Sequence, residues 1–106
     1  MTVYNVTINL DPSIHDQWME WMQKKHIAEV LDTKLFIGAR LFKVRVDDPD
    51  GALTYAVQYF AETDEKLQTY YNDFAAKLRE EGKQKFGEKM LAFRTELELV
   101  NDFFIS

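Results

Sequence analysis

The sequence predicts an α+β domain whose secondary structure follows the order β-α-β-β-α-β. Four segments are rich in strand-forming residues, two have helical periodicity, and a turn sequence joins the second strand directly to the third. The chain has 106 residues, which is near the common size of one domain. We therefore expect residues 1–106 to form a single domain.

The first strand and the first helix follow from two different periodicities. Apolar and polar residues alternate from Tyr4 to Leu10, as in a strand with one buried face. Asp11 and Pro12 then favour a helix start. The apolar residues of this helix form two stripes on roughly opposite sides: Ile14, Trp18, Trp21 and Met22, then Ile27, Val30 and Leu31. One straight helix cannot bury both stripes against a sheet, so we expect a bend or break near Lys24, Lys25 and His26.

The rest of the chain predicts a hairpin, a second helix and a last strand. The hairpin strands are residues 35–46, with a candidate bulge or kink at Gly38, and residues 53–60, joined by the turn at 47–51. Thr63 favours a helix start. The apolar stripe of that helix is Leu67, Tyr71, Phe74 and Leu78, and residues 91–100 form the fourth strand.

This order indicates a ferredoxin-like βαββαβ sandwich, a four-stranded antiparallel sheet with two helices on one face. Right-handed crossovers place the first and third strands in the centre and the second and fourth at the edges.

Composition excludes several classes of function. The net charge of −5 disfavours nucleic-acid binding, which needs a basic surface, and the sequence has no cysteine for disulfides or thiol chemistry. No apolar run is long enough to span a membrane, so we expect a cytoplasmic protein. The two histidines lack a metal-binding spacing, and no motif indicates a cofactor.

The sheet face away from the helices is expected to carry polar side chains. If the alternate residues of the first strand face the helices, Asn5 and Thr7 face away, and Gln58 joins them from the third strand. Taking Phe93, Leu97 and Leu99 as core places Arg94 and Glu96 on this face too. The second strand stays open, and one interpretation turns Arg40 and Phe42 outward. The face is either simply solvated or, because it also holds Phe42, Ala56 and Phe60, the wall of a polar cavity between two facing sheets.

Several motifs together resemble a known family. They are Tyr4-Asn5-Val6-Thr7, His15 with Trp18, Trp21-Met22, His26-Ile27, Val30-Leu31, Tyr55 with Val57-Gln58-Tyr59, and Phe93-Arg94-Thr95-Glu96-Leu97. The family is a small bacterial one of unknown function, mostly from Bacteroidetes-type genomes, with the dimeric α+β barrel fold. The resemblance implies a homodimer whose sheets face each other, and no established activity. Relatives often carry proline where this chain has Ala28, which implies that the break in the first helix is less pronounced in this chain.

Two functional classes follow from these residues. In the first, the protein is a small-molecule-binding or enzymatic dimer. Its candidate ligand-binding residues are Asn5, Thr7, His26, Gln58, Arg94 and Glu96. Arg94 would hold an anionic group, and Glu96 would orient it or move a proton. His26 suits chemistry near neutral pH, or else it satisfies carbonyl groups at a helix end. In the second class, the protein is a non-catalytic association module, and the same network is interface structure.

Overall fold

The computed structural model describes residues 1–105 and has the predicted topology. Its strands are β1 (Thr2–Leu10), β2 (Gly38–Val44), β3 (Leu53–Ala61) and β4 (Met90–Glu98). They form an antiparallel sheet in the order β2-β3-β1-β4. The first and third strands are therefore central, as the crossover rule predicts.

Two helical arms cover one face of this sheet, which we call the inner face. The first arm comprises a 3₁₀ turn (Pro12–Ile14), α1 (His15–Trp21), a π-helical turn (Met22–His26) and α2 (Ile27–Leu31). The second comprises α3 (Asp64–Tyr70), a π-helical turn (Tyr71–Ala75), α4 (Ala76–Phe86) and a 3₁₀ turn (Gly87–Lys89). None of the helices described within residues 1–105 has the length and apolarity needed to cross a bilayer.

Both arms begin at the residues that the sequence indicates. The Asp11 carboxylate accepts a hydrogen bond from the Ser13 amide at 2.9 Å, and the Thr63 hydroxyl accepts one from the Lys66 amide at 3.2 Å. Such caps satisfy amides that have no partner within the helix. The Ser13 bonds also hold the pKa of Asp11 below its usual value.

The first arm does not break near His26, where the sequence predicts a bend or break. Its backbone stays helical through the π-helical turn at Met22–His26. A π turn has i→i+5 hydrogen bonds and accommodates one extra residue. The extra residue rotates the second apolar stripe back towards the sheet, so that Trp18, Met22 and Val30 are all buried.

The second arm contains an irregularity that the sequence analysis missed. Its π-helical turn at Tyr71–Ala75 shifts the buried stripe, which steps from Tyr70 to Ala75 and then Leu78. The predicted stripe is therefore wrong at Phe74, which is 38% exposed.

The hairpin turn is as predicted, but β2 is shorter than the predicted strand. Gly51 adopts φ 78° and its amide donates to the Asp48 carbonyl at 3.0 Å, a conformation that glycine adopts without strain. Gly38 is the first residue of β2 and pairs with Phe60. It is therefore not a bulge inside the strand.

Candidate functional site

The orientation of β4 differs from the prediction and divides the expected site. Residues that pair directly across antiparallel strands share one face of the sheet. Tyr4 and Val6 are buried against the helices, and they pair with Glu96 and Arg94. Arg94 and Glu96 therefore lie on the inner face, and their predicted outward orientation is wrong.

The other face, which we call the outer face, keeps the remaining polar candidates. Asn5 is paired with Gln58 on β3 and Thr95 on β4. Its amide group donates to the Thr7 hydroxyl at 3.2 Å and to the Thr95 hydroxyl at 3.3 Å. The open question about β2 is also decided, because Arg40 pairs with Gln58 and therefore faces outward.

The outer face is also strongly apolar. Phe42, Phe93 and Leu97 are 44%, 63% and 46% exposed, respectively. Phe93 and Leu97 are residues that the sequence analysis placed in the core. Beyond β4, Val100, Phe103, Phe104 and Ile105 are almost fully exposed as well. An exposed apolar area of this kind is typical of a surface that binds another protein.

On the inner face, two arginines meet at one tyrosine hydroxyl. Arg79 of α4 donates from Nη2 to Tyr4 Oη at 3.0 Å, and Arg94 of β4 donates from Nε to the same oxygen at 3.1 Å. Within the described residues 1–105, neither guanidinium has a carboxylate oxygen within 4.0 Å. Neither arginine is therefore ion-paired, and both residues are exposed to solvent.

Tyrosine side chains surround this meeting point. The Tyr4 ring lies 5.9 Å from that of Tyr59, 5.8 Å from that of Tyr70 and 5.5 Å from that of Tyr71, between ring centroids. Burial raises the pKa of Tyr59, Tyr70 and Tyr71, and the Glu96 carboxylate adds to the effect at Tyr71. Tyr71 donates to Glu96 at 3.2 Å. These hydroxyls stay protonated at neutral pH and can act as hydrogen-bond donors.

A cavity of about 50 Å³ lies between the sheet and the two arms, and we call it the inner cavity. Arg79 and Arg94 line it together with Met90 and Ala92, and the same four residues line a groove of about 560 Å³ between α4 and β4. We call this the β4–α4 groove. The remaining wall of the inner cavity is mostly apolar; its other polar members are Tyr4, His26, Tyr59 and Tyr70.

His26 lines this cavity from the first arm. Its ring stacks on Trp21 with centroids 4.5 Å apart, and its Nδ1 is buried without a hydrogen-bond partner. Burial lowers the pKa of His26 to about 4; the Glu81 carboxylate opposes this shift and the Arg94 charge adds to it. His26 is therefore neutral at pH 7. It lies within a continuous helical arm, so the alternative of a helix-end histidine bound to carbonyl groups is wrong.

Sequence reasoning identified Arg94 and His26 but missed Tyr4, Arg79 and Gly82. A tyrosine on the buried side of β1 needs a hydrogen-bond partner for its hydroxyl, and this requirement could have indicated a polar contact at Tyr4. Gly82 permits the close approach of α4 to the first arm, because a Cβ there would lie 3.2 Å from the Trp21 ring. Among residues 1–105, no cluster of three or more histidine or carboxylate side chains could hold a metal ion.

Comparisons with known proteins identify a family and a fold. A family model described as "Domain of unknown function (DUF4286)" matches residues 1–100. No curated protein sequence matches the chain.

Several solved structures resemble the model at low sequence identity. HapK from Hahella chejuensis has a TM-score of 0.69 at 11% identity, covering 100% of this chain and 99% of that one. A mutant of MhuD with two manganese protoporphyrin IX bound per active site has a TM-score of 0.67 at 18% identity, covering 98% and 99%. A dimeric ferredoxin-like protein from an uncultured marine organism has 0.65 at 12% identity, covering 99% and 100%. These similarities establish the ferredoxin-like fold.

Proposed function

Because the chain belongs to the family described as a domain of unknown function (DUF4286), we propose a function from its own geometry. The protein binds a small anionic molecule in the inner cavity and the β4–α4 groove. One observation carries this proposal: Arg79 and Arg94 converge on the Tyr4 hydroxyl, and neither has a carboxylate partner in the described chain. Guanidinium groups recognise carboxylates and phosphates by charge and by paired hydrogen bonds.

The volumes of the inner cavity and the β4–α4 groove suggest which part of such a ligand each one holds. The inner cavity, at about 50 Å³, is well below the roughly 300–1,000 Å³ of typical ligand pockets, so it accepts only the small end of a molecule. The β4–α4 groove, at about 560 Å³, is large enough for the remainder. Met90 and Ala92 line both spaces and supply apolar contact. Glu80, Lys83 and Glu88 also line the groove, and the anion that we propose places an apolar body against Met90 and Ala92.

The outer face favours a second role, association with another copy of the chain. Exposed Phe42, Phe93 and Leu97 form an apolar surface that a second outer face would bury. Two structural neighbours are described as dimeric ferredoxin-like proteins, which supports a homodimer. In this arrangement Asn5, Thr7 and Gln58 lie between the facing sheets. A purely non-catalytic association module, the alternative function, would use this surface alone.

Binding of a simple anion tests the proposed site. We expect phenylacetate to bind the wild type measurably by calorimetry and Arg94→Gln to weaken it about 10- to 100-fold, because a hydrogen bond to a charged group contributes roughly 1.5–3 kcal/mol. Arg79→Gln should act in the same direction. Arg45→Gln is the matched control, since Arg45 is an exposed arginine that lies beyond the end of β2.

Two results would contradict the proposed site. One is a wild type that binds neither phenylacetate nor phenyl phosphate at millimolar concentration. The other is an equal loss of binding in Arg45→Gln and Arg94→Gln, which would indicate general attraction of anions rather than recognition in the cavity.

A further inference from the structure

His26 carries a buried group that anion binding does not use. Its Nδ1 is shielded from solvent and has no hydrogen-bond partner, although the ring lines the same cavity as Tyr4, Arg79 and Arg94. A buried polar atom left unpaired costs about 1–3 kcal/mol, and such atoms in native proteins call for an explanation. A ligand in the cavity could supply the missing partner.

Burial keeps the ring of His26 uncharged, and the charged groups around the ring modify this effect. On its own arm it stacks on Trp21; from the other elements, Glu81 of α4 and Arg94 of β4 act on it electrostatically. Burial and the neighbouring Glu81 raise the pKa of Glu29, which is itself paired with Lys25 at 3.8 Å. An anion bound to Arg94 would offset the positive charge that disfavours protonation of His26. Ligand binding would therefore make His26 a stronger base.

Tyr4 offers the complementary group. Its oxygen accepts hydrogen bonds from Arg79 and Arg94, so its own hydrogen can be donated to a ligand oxygen. Two cationic donors polarise the hydroxyl and strengthen it as a donor. Tyr4 can therefore stabilise negative charge that develops on a carbonyl oxygen.

We infer that His26 is the base in a proton transfer on a 2-oxo acid, a carboxylate ligand whose C3 hydrogens are acidified by the C2 carbonyl group. This inference rests on the proposed anion site. The C–H bond next to the carbonyl breaks and its proton passes to the unprotonated ring nitrogen of His26. The bonding pair forms the C=C bond of an enolate, whose oxygen accepts the Tyr4 hydrogen bond. Return of a proton to carbon or to oxygen completes an exchange or a tautomerisation, with no oxidant or reductant.

Deuterium exchange tests this reaction directly. Phenylpyruvate and 2-oxobutanoate are incubated with the protein in D₂O, and loss of their methylene signals is followed by ¹H NMR. We expect the wild type to accelerate exchange over buffer and His26→Gln to lose at least about 100-fold of that acceleration, the usual contribution of a general base. Tyr4→Phe should also slow exchange, and Arg45→Gln should not.

Phenylacetate binding distinguishes a failure of the inference about His26 from a failure of the proposed anion site. His26→Gln should bind phenylacetate within about threefold of the wild type, which also shows that the variant is folded. If phenylacetate binds but the wild type does not accelerate exchange, or His26→Gln accelerates it equally, the inference is wrong and the anion site stands. If the wild type binds neither phenylacetate nor phenyl phosphate, both are wrong.

Discussion

The two faces of the sheet differ most at β4. On β1 the rule is simple: Tyr4 and Val6 are buried under the helices, whereas Asn5 and Thr7 face outward. On β4 the polarity is reversed, since Arg94 and Glu96 lie on the helix side and Phe93 lies on the exposed side. The polarity of a strand identifies its core face only when the other face meets water. In the proposed account both faces have a further task, one towards a ligand and the other towards a second chain.

Truncating one aromatic on each face of β3 should give the largest contrast in stability. Tyr59 is 2% exposed on the inner face, and neighbouring Phe60 lies on the outer face. We expect Tyr59→Ala to lower the free energy of unfolding by about 3–5 kcal/mol at every protein concentration. Phe60→Ala should lose less, with a deficit that grows with concentration because it weakens the dimer. Urea unfolding at two protein concentrations checks both variants. If the loss of stability in Phe60→Ala does not depend on protein concentration, a dimer interface on the outer face is contradicted.

A charge placed on the outer face should prevent association. Phe93→Asp puts an unpaired carboxylate at the proposed interface twice per dimer, and we expect dimer affinity to fall at least about 100-fold. Phe74→Asp is the control, because Phe74 is also exposed but lies on a helix. Sedimentation equilibrium measures both variants. A monomeric wild type, or equal weakening by the two substitutions, would rule out dimerisation through the outer face.

Burial of His26 near the inner face should make the free energy of unfolding depend on pH. Its pKa is about 4 in the folded protein, below the ordinary value of 6.5, so the unfolded chain takes up a proton that the folded chain does not. Stability should therefore be unaffected by this group above pH 6.5 and fall as pH drops from about 6.5 to 4. We expect a loss on the order of 2 kcal/mol relative to His26→Gln, after allowance for partial exposure. Urea unfolding of the wild type and of His26→Gln across this pH range measures the loss. If the free energies of unfolding of the two proteins change in parallel with pH, a buried, neutral His26 is contradicted.

The sequence was sufficient for the features set by local chemistry. Alternation placed β1, and the capping groups of Asp11 and Thr63 placed the helix starts, because these effects act over a few residues. An irregularity near His26 was predicted, but as a bend or break rather than a π-helical turn, and the second π-helical turn was not predicted. Each turn depends on how the arm fits the sheet and changes the buried stripe, as at Phe74. The face of β4 was misassigned because its apolar residues were taken as core, whereas Phe93 is 63% exposed on the face away from the helices.

The candidate site was predicted in part for the same reason. Arg94 and His26 stand out by residue type, whereas Arg79 joins them only through its bond to Tyr4, a contact between residues far apart in sequence. Asn5, Thr7 and Gln58 were grouped with Arg94 on the assumption that β4 has the opposite orientation. Pairing register is a tertiary property, and a shift of one residue moves every side chain to the other face.

The central claim is that the two faces have separate tasks, with the ligand on the inner one. Intermolecular NOEs between the aromatic protons of bound phenylacetate and the methyl groups of the protein test it directly. We expect NOEs to Met90 and Ala92, which line the cavity and groove. NOEs to Thr7 and Ala56 instead, which are paired with each other on the outer face, would place the ligand between the sheets and contradict the account.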